Sequence, residues 1–90
     1  MFVDAQKMAR LNPSTFTIPS FNDIRNLRKG DFVKVCHNSE RFWVKLTKID
    51  KQEFSGIVDN DLICEQPFKC GDSIVFSENN IYDILFESKS

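Results

Sequence analysis

The run Arg28-Lys-Gly-Asp-Phe-Val-Lys-Val-Cys36, followed after three residues by Glu40-Arg-Phe-Trp-Val-Lys-Leu-Thr-Lys-Ile-Asp50, decides the fold. Apolar and polar side chains alternate along both pieces with period two. That is the pattern of strands packed on one face and wet on the other. The spacing predicts strands over 31–36 and 41–49, joined by the turn His37-Asn38-Ser39-Glu40. A third strand over 53–58 follows through Asp50-Lys51-Gln52. Three turn formers, Asp59-Asn60-Asp61, then break the pattern.

Further along, 62–70 contains Pro67 and reads as a loop with a short edge strand. Gly71-Asp72 restarts order before a fourth strand over 73–76. Glu78-Asn79-Asn80 reads as a turn or 3₁₀ turn, and 81–86 as a fifth strand or short helical turn. Lys29-Gly-Asp-Phe-Val-Lys-Val and Cys70-Gly-Asp-Ser-Ile-Val-Phe look alike. The common cause expected is one kind of turn leading twice into a strand.

Upstream, Ser20-Phe-Asn-Asp23 has the form of a capping box for a short helix. Ile24 and Leu27 fall on one face of it, Arg28 and Lys29 in its last turn, and Gly30 at its stop. Residues 1–11 form a weakly amphipathic helix with Met8 and Leu11 on one face, ended by Asn12-Pro13. Residues 14–19 are extended, and the alternation Thr15-Phe16-Thr17-Ile18 suits an edge strand or a reach to a neighbouring molecule. The organisation read is an N-terminal extension over 1–20, a small barrel domain over 21–86 and a frayed tail over 87–90. The fold class is mainly β: a small SH3-like barrel of about five antiparallel strands with a short helix before strand one.

Ninety residues make one domain, and 41% hydrophobic content supplies a core. Such a core is small, which makes self-association a fair expectation. Nine Phe against one Trp and one Tyr put most rings in the interior. A net charge of −1 gives no overall basic footprint for nucleic acid. No apolar stretch approaches a membrane span, and Asp4 interrupts any signal-like start. Three cysteines without a C-x-x-C pair point to a reducing, intracellular setting; one disulfide with a spare thiol is the other option.

Alternation also assigns faces. Val33, Val35, Phe42, Val44 and Leu46 turn inward. Phe32, Lys34, Cys36, Trp43, Lys45 and Thr47 turn outward, which keeps both lysines in water. A β-bulge would reverse this. The outward Trp43 has three readings: covered by the N-terminal segment or the loop around Pro67, anchor of a dimer or partner interface, or stacking platform for a base beside Lys34, Lys45 and Arg41.

Chemistry is sparse. Cys36 and His37 are adjacent, so their side chains point apart and make a poor nucleophile–base pair. Cys36, Cys64, Cys70 and His37 form a Cys₃His set on paper, but no spacing matches a zinc ribbon or finger. Asp59-Asn60-Asp61 lacks the downstream Gly and Glu of an EF-hand, and turn capping is the plainer reading. Three glycines make no phosphate loop. The basic residues from Arg25 to Lys51 read as a mixed solvated surface or as a local patch for an acidic partner or nucleic acid.

The motifs Gly30-Asp-Phe-Val-Lys-Val35, Glu40-Arg-Phe-Trp-Val-Lys-Leu-Thr-Lys-Ile49, Phe54-Ser-Gly-Ile-Val-Asp-Asn-Asp61 and Gly71-Asp-Ser-Ile-Val-Phe76 resemble an uncharacterised small domain family of bacteria, also found as hypothetical proteins of giant amoeba-infecting DNA viruses. The resemblance covers roughly 21–86. It implies a small barrel, an intracellular or virion setting, and a structural or host-interaction role. It transfers no catalytic residue.

The reading is a non-enzymatic interaction module with no cofactor, no metal and no membrane association. Its binding face is Trp43 with Lys34, Lys45 and Arg41, and its partner is another protein or a second copy. The runner-up is a nucleic-acid-binding barrel using the same face.

Overall fold

The computed structural model describes residues 2–11, 18–51, 53–62 and 66–87. In chain order they form α1 (Ala5–Leu11), α2 (Phe21–Arg25), β1 (Phe32–His37), β2 (Glu40–Asp50), β3 (Glu53–Val58), β4 (Ser73–Ser77), a 3₁₀ turn (Glu78–Asn80) and β5 (Asp83–Leu85). The protein is mainly β. Its five antiparallel strands make one sheet in the order β4-β3-β2-β1-β5. Local hairpins account for β1-β2-β3. The return of β5 to the far side of β1 does not follow from local sequence. No ladder joins β4 to β5 among the described residues, so the sheet is open between them.

The β1–β2 hairpin pairs Val33 with Val44 and Val35 with Phe42. Asn38 and Ser39 form its two-residue turn, both at positive φ (50° and 68°), as a type I′ turn requires. Val33, Val35, Phe42, Val44 and Leu46 are all buried, joined by Phe54, Val58, Ile74, Phe76 and Ile81. Each such side chain contributes about 1.5–3 kcal/mol of transfer free energy. The Phe54 and Phe76 rings stack at 5.9 Å between centroids.

A bulge does occur in β2. Leu46 pairs with Gly56 and Lys48 with Ser55, which leaves Thr47 unpaired between them. It falls after Leu46, so the alternation of Phe42, Val44 and Leu46 survives, while Thr47 and Lys48 are both exposed. Close to the bulge the chains crowd together. A Cβ on Gly56 would stand 2.7 Å from the Lys45 carbonyl oxygen, with the Val44 side chain closer still.

The two Gly-Asp segments are one structure used twice. The Asp31 N–H donates to the Arg28 carbonyl at 3.0 Å, and the Asp72 N–H to the Lys69 carbonyl at 2.9 Å. Gly30 and Gly71 sit at φ 97° and 96°, where only glycine is unstrained. Each Asp carboxylate then accepts the N–H of the turn's first residue: Arg28 at 2.9 Å and Lys69 at 3.0 Å. Each turn feeds a bulge in which two residues oppose one. Gly30 N–H donates to Leu46 C=O while Leu46 N–H donates to Asp31 C=O. Gly71 N–H donates to Val58 C=O while Val58 N–H donates to Asp72 C=O.

Several expectations are corrected. α2 is capped by Ser20, whose hydroxyl accepts the Asp23 N–H at 3.1 Å, but it stops at Arg25. Arg28 and Lys29 therefore lie in the Gly30 turn rather than in a last helical turn. α1 buries Ala5, not Leu11, which is exposed. Phe21 and Phe86 are exposed rather than core. No strand forms over 62–70 among its described residues, and Cys64 lies outside them. The connector 14–19 lies outside them too, except Ile18 and Pro19. The N-terminal segment is tied to the sheet. Val3 N–H donates to the Cys36 carbonyl at 3.0 Å, and the Asn80 amide donates to the carbonyls of Phe2 and Val3.

Candidate interaction surface

Pairing across β1 and β2 arranges the outward residues in rows: Phe32 beside Lys45, Lys34 beside Trp43, Cys36 beside Arg41. Flanking strands extend these rows. β5 sets Leu85 next to Phe32 and Asp83 next to Lys34, and β3 sets Ile57 next to Lys45. Trp43 is half-buried. The Lys34 ammonium lies over its indole, 4.8 Å from the ring centroid, a cation–π contact worth about 0.5–1 kcal/mol when exposed. The Trp43 backbone is held on its other edge. Its N–H donates to the Asn60 side-chain carbonyl, and its C=O accepts from the Asp59 N–H. Asn60 thus caps a neighbouring strand, not its own backbone as the turn reading expected.

The four predicted residues share one face but split into two groups. Trp43 and Lys34 touch, and Lys45 stands one row away, exposed. Arg41 turns toward β5, with its guanidinium carbon 4.8 Å from the centroid of Tyr82. There Tyr82, Cys36 and Ala5 form a second buried cluster, with Val3 and Ile18 packed against it. The N-terminal segment therefore covers the Cys36 end of the outer face. Burial pushes both the Cys36 thiol and the Tyr82 phenol above their usual ranges, and the Arg41 charge opposes both shifts.

Apolar neighbours complete the surface. Phe32 and Ile57 are half-buried and Leu85 is 51% exposed. Strand alternation already places Phe32 outward. Leu85 joins only through the non-local β1–β5 pairing, which carries no local signal. The surface is an apolar strip of Leu85, Phe32, Ile57 and Trp43, with Lys34 and Lys45 set into it.

Cys36 and His37 go to different places. The His37 ring sits edge-on between Phe2 and Phe68, with Nδ1 2.6 Å from the Gln66 amide oxygen. The Gln66 amide nitrogen donates to the His37 carbonyl at 2.9 Å. This network pins the 66–68 segment to the β1–β2 turn. Cys36 and Cys70 are free thiols. Among the described residues no three His, Cys, Asp or Glu side chains stand close enough to share a metal ion. Among them, too, no helix is long and apolar enough to cross a membrane. In comparisons with known proteins, no family model, no curated protein and no solved structure matches the chain.

Proposed function

We propose that this chain is an SH3-like small barrel acting as a non-enzymatic interaction module inside cells, and that Trp43, Lys34 and Lys45 with Phe32, Ile57 and Leu85 form its partner-binding face. The single observation that carries the reading is the apolar strip with inset ammonium groups on the side of the sheet away from the core. Aromatic and apolar side chains at the centre of such a patch anchor protein partners, and the lysines favour a partner with acidic groups around an apolar contact. The strand order β4-β3-β2-β1-β5, with a 3₁₀ turn just before β5, supports the barrel family. The free thiols of Cys36 and Cys70 support a reducing compartment. Self-association belongs to the same reading, because a core this small gains from a second copy.

Nucleic-acid binding is the second reading, favoured by the four cations Lys34, Arg41, Lys45 and Lys48 on or beside the strip. Affinity capture with the wild-type chain, Trp43→Ala and Leu85→Lys separates the two. A protein retained by the wild type, lost by both variants, and binding the purified chain directly supports the interaction module. A mixed-sequence single-stranded oligonucleotide is titrated in parallel, with Trp43 emission and anisotropy as readouts. Binding that weakens steeply with salt supports the second reading. No change at low salt removes it.

A further inference from the structure

The sheet ends in two edges, and they are guarded unequally. β5 is three residues long and carries Asp83, whose carboxylate accepts the Ile84 N–H at 2.8 Å. Short length, charge and self-capping are the usual ways of blunting an edge. β4 has none of these within the strand. Its sequence Ser-Ile-Val-Phe-Ser holds no charge and no proline, and Val75 is 53% exposed.

The register shows which backbone groups are free. Ile74 lies opposite Gly56 and Phe76 opposite Phe54. In an antiparallel ladder successive residues turn their N–H and C=O alternately to the two sides. The Asp72 carbonyl accepts from Val58, which fixes the phase. Ile74 and Phe76 therefore serve β3, while Ser73 and Val75 present N–H and C=O outward. The next outward amide, Ser77 N–H, is taken by the Asn80 side chain at 2.8 Å. Among the described residues, Ser73 and Val75 thus present four outward backbone groups with no partner.

We propose that β4 pairs edge to edge with β4 of a second copy of this chain, about a two-fold axis at Ile74. This rests on the self-association reading above and names its surface. In this register Ser73 lies opposite Val75 of the second copy, and the reverse. All the free groups are then used, in four N–H···O=C bonds, and the occupied Ser77 amide is not needed. Charge agrees with the choice. The turn that carries the exposed Lys69 lies just before β4 and the 3₁₀ turn that carries Glu78 just after it, so antiparallel pairing brings Lys69 of each copy to the strand end where the other copy holds Glu78, twice by symmetry. No charged side chains face each other within the paired strands, so like-charge repulsion is absent there. The two sheets join into one of ten strands, and both Trp43 faces stay open.

Sedimentation equilibrium on the full chain, over a wide concentration range, tests this with three variants. Val75→Lys places a charge on the outer side of β4 without touching the bonds to β3, and it should weaken dimerisation by about tenfold or more. Lys69→Glu should weaken it, and Lys69→Glu with Glu78→Lys should restore it. Trp43→Ala should dimerise as the wild type does. Circular dichroism and thermal melting confirm that each variant is folded. A wild type that stays monomeric at the highest concentration overturns the proposal together with self-association. A dimer that persists in Val75→Lys but is lost in Trp43→Ala overturns the β4 edge alone and moves the interface to the Trp43 strip. Capture of an extended peptide by a monomeric chain at β4 assigns the edge to a different partner and equally overturns the pairing proposed.

Discussion

The turns at 28–31 and 69–72 share a Lys/Arg–X–Gly–Asp pattern, the same positive φ at glycine, the same carboxylate-to-backbone bond and the same bulge against a neighbouring strand. Their surroundings differ. Asp31 is 4% exposed, and its second carboxylate oxygen accepts the Glu87 N–H at 2.8 Å. Asp72 is half-buried, and its carboxylate bond to Lys69 is exposed to solvent. One local solution thus serves in one place only to start a strand. In the other it also fastens the chain segment after β5 to the start of β1. Local sequence sets the turn, and non-local packing sets how much the turn matters.

The sharpest contrast to both glycines is Gly56, whose constraint is space rather than φ. Among the described residues nothing stands within 4 Å of a Cβ built on Gly30 or Gly71, whereas one built on Gly56 meets Lys45 backbone at 2.7 Å. Gly56→Ala should be the most damaging of the glycine and aspartate substitutions, costing about 3 kcal/mol through a backbone shift at the bulge. Chemical denaturation gives the number. A cost below that of Gly30→Ala would mean that β2 and β3 can separate freely at this point.

Next in size comes the pair of aspartates. Asp31→Ala removes two bonds to a buried carboxylate and should cost about 2–3 kcal/mol, against about 1 kcal/mol for Asp72→Ala. Equal costs would break the comparison, since the Glu87 bond and the deeper burial would then contribute nothing. The contrast sharpens in a chain ending at Phe86. There the excess cost of Asp31→Ala should shrink, because the Glu87 amide is no longer left without its acceptor.

These differences mark where the sequence could be read and where it could not. Period two sufficed for β1, β2 and β3 and for the inward set Val33, Val35, Phe42, Val44 and Leu46, because a half-buried hairpin writes its faces into alternate positions. The repeated Gly-Asp was legible as a turn because positive φ and a side-chain acceptor are local needs. The burial of Asp31 was not, since its second partner lies 56 residues away. On the candidate surface, Trp43 and Lys34 were legible as an outward pair. Leu85 was not, because β5 reaches β1 by non-local pairing, and Arg41 was drawn off to Tyr82, the residue just before that strand. The short α2 was legible from Ser20, but its end was not. The Ser20 hydroxyl does cap its start, but Gly30 belongs to the following turn and not to the helix stop.

Gly30→Ala and Gly71→Ala should cost the same, about 1 kcal/mol each, because both sites have room for a methyl group and only the φ near 97° resists it. A marked difference would show that one turn relaxes and the other does not, which the matching bonds inside the two turns give no reason to expect.

The smallest effect has the opposite sign. Among the described residues, three hold positive φ without being glycine: Asn38, Ser39 and Lys51. Asn tolerates this region, since its short polar side chain bonds locally, but Ser39 at 68° bears a steric penalty that glycine lacks. Glycine loses more backbone entropy on folding, which offsets part of the gain. Ser39→Gly should therefore stabilise the chain by about 0.5 kcal/mol, read as a raised melting temperature. Its N–H remains in place to donate to Cys36. A loss of stability would mean that the β1–β2 turn is held by Ser39's own side chain.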